Sequence, residues 1–426
     1  MIEKLKHWNE WWIENNVYKN KLGIKREGFL SEIFKMIKVK EISVLSGVRR
    51  SGKSTLVFQL IDLLIKEVNP KNILYFNFDE TLEYKDNRAL DLVYNTFLEL
   101  NNPKGKKYVF FDEIQNIVGW EKWIKKNYDL YGSEIKFVLT GSNNSMLYDN
   151  LSKLLTGRIL TKMVFPLAFK EFLTFNKFEL KDIDIQKQEI KHYFLDYLNK
   201  GGFPEVVLET DDYINNLRLK EYYDGILLRD IVQLRNIREV SKIMDLSNYC
   251  MTNTSALISY NNISKITGLN ITTLKEYLLF LESAYLIFQL KFFSYSLKES
   301  IAIQKPRKIY CIDNGLRNSV SFKFSKDDGK LAENLTFIEL KRRNKEIYYW
   351  NGKREVDFII KNKDQSLTAI NVSYTNEIDE REIKGLEEFK AKFKSKVKRC
   401  ILLTNSLSKK EKNIEFIPLW KYLLED

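Results

Sequence analysis

Histidine is nearly missing from this sequence of 426 residues, which holds only His7 and His192. A histidine-based metal centre is excluded. Cysteine is scarce as well: Cys250, Cys311 and Cys400 are widely separated and odd in number, which fits a reducing cytoplasm better than a disulfide framework or a zinc ribbon. Six prolines and 17 glycines are too few for a linker-rich or low-complexity chain. No apolar run approaches the roughly 18 residues that span a bilayer, and the opening MIEKLKHWNEWW is too often charged for a signal peptide. The expectation is a soluble cytoplasmic protein without a membrane partner. Acidic charge is the minority: 57 Asp and Glu stand against 69 Lys and Arg, a net charge of +12. That excess favours polyanionic partners such as nucleic acid, but a lysine-rich surface that serves solubility explains it equally well. What the chain does have is apolar residues, 44% of the total, and a length that calls for two to four hydrophobic cores.

The first strong pattern is a buried-strand run, Glu41 to Leu45, then SGVRRSGKST and an amphipathic helix from Thr55 to Val68. Further strand runs at Ile73 to Phe78, Lys107 to Phe111 and Ile135 to Leu139 are separated by helical stretches of crossover length. Residues 1–165 therefore read as a parallel α/β domain with a helical N-terminal extension. Residues 166–240 read as a helical lid, punctuated by GGFPEVV at Gly201 to Val207. Residues 241–320 contain a short helix, a turn at Gly268, a longer helix and β-rich sequence, the pattern of a winged helix-turn-helix. Residues 321–426 read as a separate α/β domain.

Gly47-Val48-Arg49-Arg50-Ser51-Gly52-Lys53-Ser54, followed by Thr55, matches GxxxxGK[ST] in the strand-to-helix setting the motif requires. Glycines let such a loop wrap phosphates, its N–H groups and the helix N-terminus hold the negative charge, Lys53 reaches the β/γ oxygens and Ser54 ligates Mg²⁺. The third strand runs through YVFF into Asp112 and Glu113. Asp112 is the expected Mg²⁺ holder, directly or through water, and Glu113 the base that orients and deprotonates the attacking water. The fourth strand ends Thr140-Gly141-Ser142-Asn143, where a small polar side chain either contacts the γ-phosphate or the attacking water, or caps the next helix; both readings stay open. Hydrolysis also calls for an arginine against the leaving group, often from a neighbouring subunit. Arg158 is the first candidate, with Arg49, Arg50 and Arg229 behind it.

The order of GVRRSGKST, FFDEIQN with Trp120, LTGSNNSML, LTGR, PLAFKEFL, GGFPEVV, LLRDI, PRKIYCIDNGL and GKREVDFII resembles a family of prokaryotic, especially archaeal, AAA+-type ATPases with an appended nuclease-like domain of unknown function. The resemblance spans almost the whole chain. It implies ATP binding and hydrolysis with Mg²⁺, ring-like or other homo-oligomers (a hexamer among them), a winged helix, and a C-terminal PD-(D/E)xK-like α/β domain.

Such a nuclease needs an Asp and a Glu to bind Mg²⁺, and a Lys two residues past the Glu to activate water. Glu333 and Asp357 match the first two acidic positions, but the expected E-x-K reads Asn371-Val372-Ser373. The resemblance therefore implies a nuclease-like fold without nuclease activity, unless Lys361 or Lys363 reaches in. KRRNKE (Lys341 to Glu346), FKAKFKSKVKR (Phe389 to Arg399) and Lys275, beside Thr272 and Thr273, could neutralise phosphates; the alternatives are a solvated lysine-rich helix face, in a field that Glu276, Glu282, Glu387 and Glu388 interrupt, and a winged helix that only packs between ATPase and tail. The leading expectation is a Mg²⁺-dependent oligomeric ATPase that works on DNA or a DNA-bound partner. The alternatives are a nucleotide-controlled assembly switch with a protein partner, in defence or signalling, and an ATP-gated nuclease.

Overall fold

The computed structural model describes residues 1–80, 82–143, 154–295, 306–321, 327–375 and 377–425. Asn144 to Leu147 of the LTGSNNSML stretch lie outside them. The described chain forms two compact units, Met1–Val164 and Phe165–Asp426.

In the first unit, β1 (Ile42–Ser46), β2 (Ile73–Asn77), β3 (Lys107–Asp112), β4 (Ile135–Gly141) and β5 (Ile159–Met163) form one parallel sheet in the order β2-β3-β4-β1-β5. Helices Lys53–Leu64, Asn87–Asn101 and Trp120–Tyr131 supply Leu60, Ile61, Val93, Phe97, Trp123 and Ile124 to the core around these strands. Every residue of β1 and β4 is buried, which is why these strands read as unbroken apolar runs. The sequence pattern did not predict β5. Its residues ILTKM are mostly half-exposed or exposed at the sheet edge, so no apolar run marks them. At the other edge the N-terminal extension closes β2. Asn9 donates to the Tyr75 carbonyl at 2.9 Å and accepts from its N–H at 2.7 Å, while the Trp11 and Trp12 indoles donate to the Ile73 carbonyl.

The second unit starts with helices Phe169–Phe175, Lys187–Lys200 and Asp212–Gly225, the last running into a wider π-type stretch, Ile226–Gln233, that contains LLRDI. Helix Val240–Thr252 follows, then β6 (Leu257–Ile258), helices Tyr260–Thr267 and Ile271–Ser283, β7 (Ile287–Leu290) and β8 (Arg307–Cys311), with the strands antiparallel in the order β6-β8-β7. Gly268 sits at φ +66°, in the left-handed region, between the paired helices, and Asn270 caps the second by accepting the Thr273 N–H at 2.9 Å. Helices Asn314–Val320 and Asp328–Arg342 lead into a mixed sheet of β9 (Glu346–Asn351), β10 (Glu355–Lys361), β11 (Leu367–Ser373), β12 (Val397–Thr404), β13 (Lys409–Glu411) and β14 (Ile414–Pro418). Their order is β13-β14-β12-β11-β10-β9, and helix Glu380–Phe393 packs against it.

Three of the sequence motifs meet in one buried knot of this unit. The Asp313 carboxylate accepts the Gly202 N–H at 2.7 Å and the Leu316 N–H at 2.9 Å. A Cβ on Gly201 would overlap that carboxylate, and one on Gly315 would overlap the Lys200 carbonyl. Gly202 in turn accepts the Leu167 N–H at 2.7 Å, and Arg342 donates to the Pro166 and Leu167 carbonyls. GGFP, IDNGL and PLAF are thus fixed by close backbone approach and a shared carboxylate. Burial holds the Asp313 carboxyl up at about 6, against the backbone donors of Gly202, Leu316 and Gly315. The folded value lies above the ordinary 3.8, so between about pH 4 and 6 the folded state keeps a proton that the unfolded chain releases. Stability contributed here falls as pH rises through that window, by up to about 3 kcal/mol, and is flat above it. Asp313→Asn is expected to remove this slope, so urea midpoints of variant and parent should converge as pH rises from 4 to 6; parallel midpoint curves would refute it.

Candidate functional site

The phosphate loop lies between the carboxyl end of β1 and helix Lys53–Leu64, at the sheet edge where open parallel folds bind ligands. Gly47 has φ +157°, and a Cβ there would overlap the Val164 carbonyl. Gly52 has φ +92° at the helix N-cap. Lys53 is buried, and its ammonium donates to the Gly47 carbonyl at 3.0 Å and the Val48 carbonyl at 3.1 Å, with Glu113 Oε1 at 3.8 Å. Around it, Ser51 and Val48 are buried, Arg49, Ser54 and Thr55 half-buried, and Arg50 exposed at φ +66°. Arg49 approaches Asp79 at 3.4 Å.

Strand β3 brings Asp112 to the same edge, and β4, which separates β3 from β1, brings Thr140. The Thr140 hydroxyl donates to Asp112 Oδ1 and accepts the Glu113 N–H at 3.0 Å, so one side chain of the middle strand positions both acids. Tyr75 on β2 donates its hydroxyl to Asp112 Oδ2 at 2.8 Å. Burial, and then the Glu113 charge, push the Asp112 carboxyl above the ordinary range, while hydrogen bonds from Ser54, Thr140 and Tyr75 pull the other way. Glu113 adopts φ +50°, a left-handed conformation that turns the chain sharply off the strand. Gln115 donates to the Glu113 carboxylate and to Ser142 Oγ at 3.2 Å. Tyr75 and Gln115 belong to the site without a sequence signal of their own: Gln115 is one residue of FFDEIQN, and Tyr75 one aromatic residue in an apolar strand run.

These residues fit a nucleoside triphosphate with Mg²⁺. Ser51 Oγ is buried and without a hydrogen-bond partner among the described residues. Ser54 and Asp112, already in contact, supply the hard oxygen donors that Mg²⁺ takes. Arg158 is placed elsewhere. Its carbonyl accepts the N–H of Ile42, the first residue of β1, and its guanidinium donates to Asp129 at 3.0 Å. It therefore lies at the amino end of the strand whose carboxyl end carries the loop, outside this chain's own phosphate-loop site. Arg229 lies exposed in the π-type stretch of the second unit.

The four C-terminal positions divide. Glu333 and Asp357 converge on one ammonium, that of Lys308 on β8, at 2.8 and 2.9 Å. Asn371 does not offer its oxygen there: Oδ1 accepts the Asp357 N–H at 3.0 Å and Nδ2 donates to Glu382 at 2.9 Å. Ser373 is buried at the end of β11. Lys361 pairs with Glu346 at 3.7 Å, and Lys363 lies in the turn beyond β10; neither is a partner of Glu333 or Asp357. The expectation that KRRNKE presents its arginines to phosphate is corrected. Arg342 and Arg343 both bond to Glu339, and the second terminal nitrogen of each donates to backbone carbonyls, those of Pro166 and Leu167 for Arg342 and those of Tyr422 and Glu425 for Arg343. In FKAKFKSKVKR, Lys392, Lys394, Lys396 and Lys398 are exposed, while Arg399 pairs with Glu415.

Among the described residues no helix is long and apolar enough to cross a membrane. An AAA domain matches residues 39–173, followed by two domains of unknown function, DUF8612 at 191–327 and DUF4143 at 328–422. An uncharacterized protein of Methanocaldococcus jannaschii is 35% identical over 404 residues, covering 90% of this chain and 88% of its own length. An uncharacterized protein of Haemophilus influenzae is 32% identical over 358 residues, covering 82% and 86%. Among solved structures, a Walker-type ATPase of Pyrococcus abyssi aligns with TM-score 0.47 at 14% identity, over 70% of this chain and 95% of that one. The Orc1 protein of Aeropyrum pernix in complex with DNA aligns with TM-score 0.34 at 10% identity, over 73% and 96%. The chain belongs to the family of these archaeal and bacterial relatives, and it carries an AAA-type P-loop ATPase domain followed by two domains of unknown function.

Proposed function

We propose that the protein is a Mg²⁺-dependent, homo-oligomeric ATPase that couples ATP binding and hydrolysis to movement of its C-terminal unit on DNA or a DNA-bound partner. The observation that carries the ATPase reading is the joint placement of Lys53, Ser54, Asp112, Glu113 and Thr140 at one sheet edge. Lys53 and the loop N–H groups bind the β/γ-phosphates, Ser54 and Asp112 hold the metal, and Glu113, positioned by Thr140 and Gln115, takes the proton from the attacking water. Mg²⁺, when bound, supplies the positive charge that offsets the phosphates. Arg158 is proposed to act on the nucleotide of a neighbouring copy, since its own loop lies at the other end of β1.

DNA contact is supported by the net charge of +12, the exposed lysines Lys392, Lys394, Lys396 and Lys398, and the paired helices that lie between β6 and β7 in the chain. We read their arrangement, a capped second helix after a Gly268 turn in sequence with three antiparallel strands, as a winged helix-turn-helix. The C-terminal mixed sheet with Glu333, Asp357, Asn371 and Ser373 is read as a nuclease-like fold without cleavage activity, because Asn371 and Ser373 lack the charge and the base the chemistry needs.

The test is the steady-state ATPase rate with and without duplex and single-stranded DNA at low and high salt. DNA should stimulate turnover several-fold at low salt, the effect should fade as salt rises, and the DNA should stay intact. A Lys394→Glu/Lys396→Glu/Lys398→Glu chain should lose the stimulation and keep the basal rate. Equal rates with and without DNA at low salt would remove the DNA reading and turn the search to a protein partner.

A further inference from the structure

The acid cluster around Lys308 is built for a cation and already holds one. Strand β8 alternates, so Lys308 and Tyr310 share a face, as do Glu355 and Asp357 on β10. Lys308 has a side chain only 2% exposed, and its ammonium meets Glu333 Oε1 at 2.8 Å, Asp357 Oδ1 at 2.9 Å and Glu355 Oε1 in a third, close pair. The ammonium donates to Glu333 and Asp357, and Glu355 completes the ring of three carboxylates as an ion pair. Tyr310 donates to Glu333 Oε1 at 2.7 Å, and Asp357 Oδ2 accepts the Val372 N–H at 2.9 Å. Glu382 adds a further carboxylate behind Asn371, itself paired with Arg381.

We infer that Lys308 is a resident cation: its ammonium stands where a divalent ion would sit among Glu333, Glu355 and Asp357, and it keeps the wild-type cluster free of metal. A hard divalent ion takes carboxylate oxygens at roughly 2.0–2.6 Å from its centre, so it and the ammonium claim the same space. Three carboxylates face one ammonium, so removing Lys308 leaves Glu333, Glu355 and Asp357, all partly shielded from water, crowded together without a counter-charge. A divalent ion is then the favoured replacement. The consequence holds whether or not the surrounding fold is nuclease-like, since it rests on charge and geometry alone.

Mn²⁺ titration of the full chain without nucleotide, followed by calorimetry and electron paramagnetic resonance, tests this. Wild type should show no Mn²⁺ site that Asp357→Asn abolishes. Lys308→Met and Lys308→Gln should each gain one Mn²⁺, bound at least ten-fold more tightly than any wild-type site, and Asp357→Asn added to either should remove it. Where a Lys308 variant melts early in EDTA, Mn²⁺ should restore its melting temperature. The inference is overturned if wild type binds a Mn²⁺ that Asp357→Asn abolishes, if folded Lys308 variants gain no site, or if variants unfolded in EDTA are not rescued by Mn²⁺. DNA cleavage, read on the same proteins, separately tests the inactive-nuclease reading: cutting by a Mn²⁺-loaded Lys308 variant leaves the resident-cation inference standing, whereas cutting by wild type that Asp357→Asn abolishes sinks both.

Discussion

Lys53→Ala is expected to weaken ATP binding by roughly 100- to 1,000-fold, because a charge-assisted contact to phosphate is worth about 1.5–3 kcal/mol and Lys53 offers more than one. The geometry explains why no neighbour can substitute. Its ammonium rests on the Gly47 and Val48 carbonyls of the loop itself, 3.8 Å from Glu113, and is buried. Arg49 is engaged with Asp79, and Arg50 is exposed. Without nucleotide the Lys53 ammonium meets, among the described residues, only these two loop carbonyls and Glu113, so the nucleotide-free melting temperature should change by only a few degrees. Equilibrium binding of a fluorescent ATP analogue, alongside a melt without nucleotide, separates the two effects. Unchanged affinity would remove the phosphate-loop assignment. A large fall in the melting temperature would show instead that Lys53 is a structural side chain.

How much of this was legible depended on how local the signal was. The phosphate loop declares itself because eight consecutive residues carry glycine, lysine and serine at fixed places between a strand and a helix, and Asp112 and Glu113 follow an apolar run that ends at the sheet edge. Thr140 stands out by the same logic, although its hydroxyl bridge between Asp112 and the Glu113 N–H is a role that neither sequence reading contained. Tyr75 was hidden because an aromatic residue in an apolar strand looks like core until its hydroxyl is traced to a carboxylate on the neighbouring strand. Strand β5 was missed because an edge strand need not be apolar.

The longest-range features were the least legible. Asp313 finds its partner Gly202 across 111 residues, and nothing near IDNGL or GGFP says that one carboxylate holds both. Lys308 sits in a strand whose sequence, RKIYC, gives no sign that the lysine points inward to acids on a helix and on another sheet. The arginines of KRRNKE erred the other way. Charge in sequence suggests solvent, yet Arg342 and Arg343 turn inward because Glu339, one helical turn before them, is buried with them.

Glu113→Gln separates binding from chemistry and should leave ATP affinity within a few-fold of wild type while slowing turnover by roughly 100- to 10,000-fold, the range a positioned general base supplies. The argument rests on three features. Glu113 is anchored at its N–H by Thr140 and at its carboxylate by Gln115, so its placement is set before substrate arrives. Its side chain is 9% exposed, which limits the other bases that water can bring to the same point. Asp112, the neighbouring acid, has both oxygens engaged, by Thr140 and Tyr75, and holds the metal in the proposed scheme, so it is a poor stand-in for the base. The isosteric amide keeps shape and hydrogen-bonding reach while losing the basic oxygen; its contact with Gln115 changes from donor–acceptor to one that either amide can satisfy by flipping. The decisive measurement is the quenched conversion of bound ATP to ADP in a single turnover, with enzyme in excess of ATP and above its dissociation constant, since this excludes product release and any defect in binding. A slow chemical step with intact affinity assigns the base to Glu113. Near-normal single turnover would place the base elsewhere and leave Glu113 as a residue that only positions the loop.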